Sequence, residues 1–262
     1  MVRHMRDDTP MTVHANPLHR SPPEQISMPG PMFRPTPMSG PLPCLLLLVA
    51  GRSRRLGRPK GGLVANGVPL LVQQLQKART AGIDRALVVL GAGAPRLAKL
   101  LTPTLVRQLG FRELRICHAS AWREGMGGSL RDGLRALPQD WRRVLVLLVD
   151  QTGVKGEDLR RLAALTHRGP GQGPRQGQEQ RQLQVKVAAT VAKPGGSPMA
   201  PVVLPRIRLR EVLTHLHGDR GLGPWLRKQQ SSGLVLVPCL AAAEDLDTPT
   251  AAAVWRAKRP RR

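Results

Sequence analysis

The chain has 262 residues and a formal net charge of +24, from 41 Lys and Arg against 17 Asp and Glu. That length suits one α/β domain with extensions, or two small domains, and it can bury a sizeable core. There is no Tyr, with two Phe and four Trp, so the core must be Leu, Val and Ala. The charge favours anionic partners, or else it is an arginine bias spread over the surface.

Residues 1–42 hold much of the Pro, Met and His and show no periodicity, so a disordered extension is expected. His4, His14 and His19 fit no compact metal spacing. The apolar run from Cys44 to Ala50 reads as a buried parallel strand. It feeds a loop with Gly51, Gly57, Gly61 and Gly62, four arginines and Lys60. Such a loop at the carboxyl end of a strand is where open α/β sheets bind ligands. Its N–H groups and cations suit phosphate oxygens, unless it is a flexible basic turn. It is not a Walker loop, because Arg58 and Pro59 precede Lys60 and Gly61 follows it. Nor is it G-x-G-x-x-G, because Ser53 stands at the second glycine.

Asn66-Gly67 signals a turn, and Pro69 opens a helix that Gly82 ends. A strand follows over 85–90. Residues 95–109 form a helical pattern broken at Pro103, and 114–118 form the next strand. The order predicts α/β with a largely parallel sheet. Trp122 to Leu134 is a glycine loop opening a short helix, with Ser129 or a neighbour as cap. This is a second anion site, a base-edge site, or an ordinary tight turn.

Residues 144–149 are the most apolar strand and end in Asp150-Gln151. Asp150 suits a Mg²⁺ ligand facing the basic loop, or else a helix cap or ion pair. A helix is expected over 157–167, then a flexible Gln-rich insertion over 170–184. Strands at 185–191 and 201–204 form a hairpin or split pair. Two helices, 208–216 and 223–230, flank the HGDRG turn. A last strand over 234–237 precedes the acidic loop with Asp245 and Asp247. Pro249 opens a closing helix, and 258–262 is a basic tail.

The three cysteines are distant and odd in number, which argues for a reducing compartment. No apolar stretch approaches ~18 residues, so no membrane span is expected. Two carboxylate loops facing a phosphate loop suit a metal-bridged triphosphate. An attacking phosphate is already ionised and needs no base. His118, His167, His215 and His217 are read as incidental.

Leu48 to Lys60, LVAGRSRRLGRPK, resembles the nucleotidyltransferase signature LAAGxSxRMGxxK. GVPLL, AGIDRALVVLG, WREGMGGSLRDGL, VLVLLVDQ, PVVLPR, HGDRG and EDLDTP follow in the same order. Over 44–257 the chain resembles the MobA-like nucleotidyltransferases, and within them the molybdenum cofactor cytidylyltransferase branch. The resemblance implies a three-layer Rossmann-like fold with a mostly parallel central sheet, in one domain over 43–257. It implies transfer of a nucleoside monophosphate from an NTP, for that branch CTP, to molybdenum-molybdopterin, a phosphorylated pterin. Pyrophosphate is released. Arg55 and Lys60 would then hold the phosphates. Ala50, Gly51, Ser53, Gly125, Met126 and Ser129 would contact the nucleotide. Asp150 and Asp247 would hold Mg²⁺, with Asp245 close behind. A molybdenum hydroxylase or its chaperone is the implied recipient, in the cytoplasm.

Three departures stand out. The family's DQP is Asp150-Gln151-Thr152 here, which is expected to loosen the turn while keeping the acid. Its aromatic and G-x-P ahead of PVVLPR are replaced by GGSPMA, at the stretch read for the acceptor. The Gln-rich insertion is extra. Other readings remain: a transferase using GTP or a sugar phosphate, a non-catalytic cofactor handler, or a basic nucleic-acid binder. Scattered arginines without an aromatic stacking set count against nucleic acid.

Overall fold

The run Cys44–Val49 forms β1, and all six of its residues are buried. Side chains alternate across a strand, so both faces of β1 must be covered. Leu45, Leu47 and Val49 pack into one apolar cluster, while Leu46 and Leu48 pack into another. The computed structural model describes residues 42–165 and 186–257. The extension expected over 1–42 (all but its last residue), the insertion over 170–184 and the tail over 258–262 lie outside them. So do His4, His14, His19 and His167.

After β1 the basic loop makes two short 3-10 turns, Arg54–Leu56 and Lys60–Gly62. Strands β2 (Val64–Ala65) and β3 (Val68–Pro69) pair antiparallel around Asn66 and Gly67, whose φ values are 53° and 72°. Left-handed residues at both central positions suit a tight hairpin turn. The turn is legible in Asn-Gly, whereas two-residue strands carry no pattern. Helix α1 (Leu70–Thr80) leads to β4 (Arg85–Leu90). The break at Pro103 separates α2 (Ala94–Ala98) from α3 (Pro103–Leu109), with Thr102 capping the second. Then come β5 (Glu113–His118), a 3-10 turn, α4 (Met126–Arg135), β6 (Arg143–Leu148) and α5 (Gly156–Leu165). The second half holds β7 (Ala188–Val191), β8 (Met199–Pro205), α6 (Leu209–His215), α7 (Gly223–Gln229), β9 (Val235–Pro238) and α8 (Pro249–Ala257).

Seven strands form one sheet in the order β5-β4-β1-β6-β8-β7-β9. Pairings β4–β5, β1–β4, β1–β6 and β7–β9 are parallel. Strand β8 runs against both of its neighbours, β6 and β7. The two strands read as a hairpin or split pair are therefore an antiparallel hairpin. Helices α1, α5 and α8 pack on one face through Leu71, Leu75, Leu159, Leu162 and Trp255. Helices α4, α6 and α7 pack on the other through Leu130, Leu134, Val212, Trp225 and Leu226. The result is three layers with a mostly parallel central sheet. No helix among the described residues is long and apolar enough to cross a membrane.

Candidate active site

The carboxyl ends of β1 and β6 open into one cleft of about 580 Å³. Ala50, Gly51, Ser53, Arg55 and Lys60 reach it from the loop after β1. Gly125, Met126 and Ser129 reach it from the start of α4. Asp150 comes from the end of β6, and Asp245 and Asp247 come from the acidic loop before α8. Among the described residues no histidine lines it.

The loop after β1 is clasped on itself. Ser53 adopts φ 51°, unusual for a residue with a Cβ. Its carbonyl accepts from the Leu56 and Gly57 N–H groups, and its Oγ accepts from the Lys60 N–H at 3.3 Å. Ser53 thus shapes the loop that carries Arg55 and Lys60.

At the floor, Lys60 Nζ lies 2.5 Å from Asp150 Oδ2 and 2.5 Å from Asp247 Oδ1. The Lys60 side chain is 12% exposed and that of Asp150 19%, so bulk water screens their contact little, whereas the half-exposed Asp247 is screened more. Burial pulls the ammonium's pKa down, but the two carboxylates outweigh it and hold it above the ordinary lysine value. The Lys60 hydrogen bond holds Asp247 below the ordinary aspartate value. Asp245 goes the other way. Partial loss of hydration raises its pKa first, and the neighbouring Asp247 and Asp150 raise it further. Among the described residues no group of three or more His, Cys, Asp or Glu side chains is arranged for a metal. Asp150 and Asp247 nevertheless already share one cation between hard oxygens. Mg²⁺ is usually held by one or two carboxylates with water and substrate phosphates, so this donor pair fits it.

The expected looseness of the Asp150-Gln151-Thr152 turn is not what the structure has. Gln74 Nε2 donates to Val149 O at 2.8 Å, and Lys77 Nζ donates to Thr152 O at 2.7 Å. Gln151 is buried, and its Nε2 donates to Ala200 O at 2.5 Å and Ala242 O at 3.1 Å. Hydrogen bonds from α1 and the Gln151 side chain replace the restraint of a proline. The glutamine also ties the end of β6 to the start of β8 and to the segment leading into the acidic loop.

Ser129 does not cap α4. It sits inside the helix, and its Oγ donates to Gly125 O at 3.2 Å. The residue ahead of the helix is Gly125, with φ 127°. The HGDRG turn packs directly on this helix start. A Cβ on Gly127 would lie 2.5 Å from Arg220 O, and one on Gly125 would lie 2.1 Å from Asp219 Oδ1. The Gly127 N–H donates to Gly218 O at 2.8 Å.

Several cleft residues escape the sequence reading. Trp122 lines the wall, with the Arg52 and Arg123 guanidiniums 5.1 and 4.9 Å from its ring centre. Met199, Asp219 and Gln151 line it as well. Arg52, just beyond Gly51, and Trp122, at the head of a glycine motif, carry local signals. The placement of the others depends on long-range packing.

Comparison with known proteins gives the same architecture. A nucleotidyl transferase from Methanothermobacter superposes with a TM-score of 0.61 at 20% identity, covering 84% of this chain and 98% of that one. A manganese complex of Rv0371C from Mycobacterium tuberculosis H37Rv gives 0.57 at 20% identity, over 84% of this chain and 100% of that one. Molybdopterin-guanine dinucleotide biosynthesis protein A from Archaeoglobus fulgidus gives 0.51 at 15% identity, over 82% and 97%. At these identities the likeness establishes the fold. The comparison with curated proteins finds no match. The model of the MobA-like NTP transferase domain matches residues 45–233, well over half of the sequence, and the chain belongs to that family.

Proposed function

We propose that the protein transfers a nucleoside monophosphate from CTP to the phosphate of molybdenum-molybdopterin and releases pyrophosphate. The observation that carries this reading is the Lys60 ammonium held between Asp150 and Asp247 beside the glycine loop. That floor combines a phosphate-seeking cation with two carboxylates suited to a divalent ion. The choice of CTP and of the pterin rests on the sequence resemblance. The structural relative named for molybdopterin-guanine dinucleotide biosynthesis supports a pterin acceptor.

In the reaction an oxygen of the acceptor phosphate attacks the α-phosphorus in line. A new phosphorus–oxygen bond forms as the bond to the bridging oxygen of the departing pyrophosphate breaks. Arg55 and Lys60 neutralise charge that builds on the phosphate oxygens, and preorganised cations are effective in this role. Backbone groups of Ala50 and Gly51 line the nucleotide, while Gly125, Met126 and Ser129 hold its nucleoside end. Asp150 and Asp247, with Asp245 behind, would hold the Mg²⁺, which supplies further charge neutralisation and alignment when bound. The attacking phosphate is ionised at neutral pH, so the step asks for no histidine base in the cleft. Three free cysteines suit a reducing, cytoplasmic setting.

The test is pyrophosphate release by the purified protein with Mg²⁺. CTP, GTP, ATP and UTP are each paired with molybdenum-molybdopterin and with sugar phosphates. Turnover of CTP with the pterin is expected. Absence of turnover with every pair overturns the enzyme reading, and turnover only with GTP or a sugar phosphate replaces its substrates.

A further inference from the structure

The cleft has two acidic walls, and only one of them is neutralised. Asp150 and Asp247 face Lys60. Asp219 also lines the cleft, beside Gly125 and Met126, and its carboxylate has no hydrogen bond or ion pair among the described residues. We propose that Asp219 selects the base of the nucleotide, accepting a hydrogen bond from the exocyclic amino group of cytosine. This rests on the nucleotidyl-transfer reading.

The position of Asp219 is built rather than incidental. Glycine at 125 and at 127 lets the HGDRG turn close on the start of α4, where side chains would collide with Asp219 and with the Arg220 and His217 backbone. The Gly127 N–H bonds Gly218 O at 2.8 Å, and Arg131 Nη1 bonds Leu216 O at 3.2 Å. These contacts fix the backbone leading into the aspartate.

This wall carries Arg52 and Arg123 as well, both held over the Trp122 ring. The phosphate end is marked by its own group of charges. Lys60 Nζ lies 2.5 Å from both Asp150 and Asp247 there, and Arg55 and Asp245 line the same part of the cleft. The same cleft is lined by Ala50 to Ser53, Trp122, Met126 and Asp219, which leaves that side for the nucleoside of a triphosphate anchored at Lys60. Trp122, its ring covered by those two guanidiniums, forms the wall beside it. Asp219, when ionised, only accepts hydrogen bonds. Cytosine presents an amino donor where uracil presents a carbonyl oxygen, so the carboxylate attracts one and repels the other. On this proposal the start of α4 serves as a base-edge site rather than as an anion site or an ordinary tight turn.

Calorimetric titration of CTP and UTP, each with Mg²⁺, tests this without any acceptor. Wild type is expected to bind CTP about tenfold more tightly than UTP. Asp219→Asn brings the ratio near unity, because a carboxamide can turn either its oxygen or its amino group to the base. Asp219→Ser, which keeps a small polar side chain, does the same. Arg55→Ala weakens both nucleotides in parallel and keeps the ratio. A wild type without preference, or a preference that survives both Asp219 variants, overturns the proposal. A wild type that binds neither nucleotide overturns the CTP reading on which the proposal rests, while pyrophosphate release with GTP or ATP would still show the transferase.

Discussion

Lys60 Nζ meets Asp247 Oδ1 at 2.5 Å across 187 positions of sequence. The contact joins the loop after β1 to the acidic loop before α8, and Asp150 closes it from β6 at the same distance. Removing the ammonium leaves two carboxylates facing each other at the cleft floor. Lys60→Ala and Asp150→Ala are each expected to lower kcat about 10²- to 10³-fold or more in the pyrophosphate assay, with an unchanged far-UV spectrum. Wild-type rates in both would remove these residues from the reaction.

A divalent ion should substitute for the missing ammonium. In Lys60→Ala, Mg²⁺ or Mn²⁺ without nucleotide should raise Tm more than it does in wild type, because it binds only the folded carboxylate pair. Equal shifts in the two proteins would mean that Lys60 and the metal do not share those oxygens.

The pair also sets a pH window. Asp247 is depressed below its ordinary 3.8, so its contribution to stability is present above that value and lost as pH falls through the folded pKa. Lys60 is raised above its ordinary 10.5, so its contribution is present below that value and lost as pH rises through the folded pKa. The Tm difference between wild type and Lys60→Met should be largest between these limits and shrink toward both. A difference that is constant across the range would show that packing, not charge, carries it. Asp247 is 48% exposed, so added salt should reduce the difference.

Gln151→Leu should leave the carbonyls of Ala200 and Ala242 without their donor. A loss of about 1–3 kcal/mol in urea denaturation is expected. The metal concentration for half-maximal activity should rise, since the glutamine steadies the approach to Asp245 and Asp247. Unchanged stability would show that both carbonyls find other partners.

Gly127→Ala puts a methyl group 2.5 Å from Arg220 O, against backbone that cannot rotate away. It should cost about 1–3 kcal/mol of stability. Gly51→Ala is the control, since a Cβ there meets nothing within 4 Å.

The sheet and its helices are legible because each central strand is a short apolar run and most helices have a proline or glycine at an end. Part of the cleft lining, such as Arg55, Lys60 and Asp150, lies in motifs that recur at fixed order in one family. What stays hidden depends on contacts far apart in the chain. Nothing near Gln151 announces that its amide reaches β8 and the segment after β9. Ser129 looks like a cap, yet Gly125 precedes the helix because the HGDRG turn needs that space. Asp219 is placed by glycines far earlier in the chain, Gly125 and Gly127. The β2–β3 hairpin is too short to show an alternation.

Strand β8 runs against β6, so the cleft receives its beginning where β1 and β6 contribute their ends. Met199 and Ala200 therefore stand beside Gln151 by strand direction, with the hairpin turn after β7 just upstream. Length changes in that turn reach the cleft wall directly. Length changes between α5 and β7 enter at the end of the strands away from the cleft, because β7 runs in the same sense as β6. One sheet thus has an end where added length meets the cleft and an end where it does not.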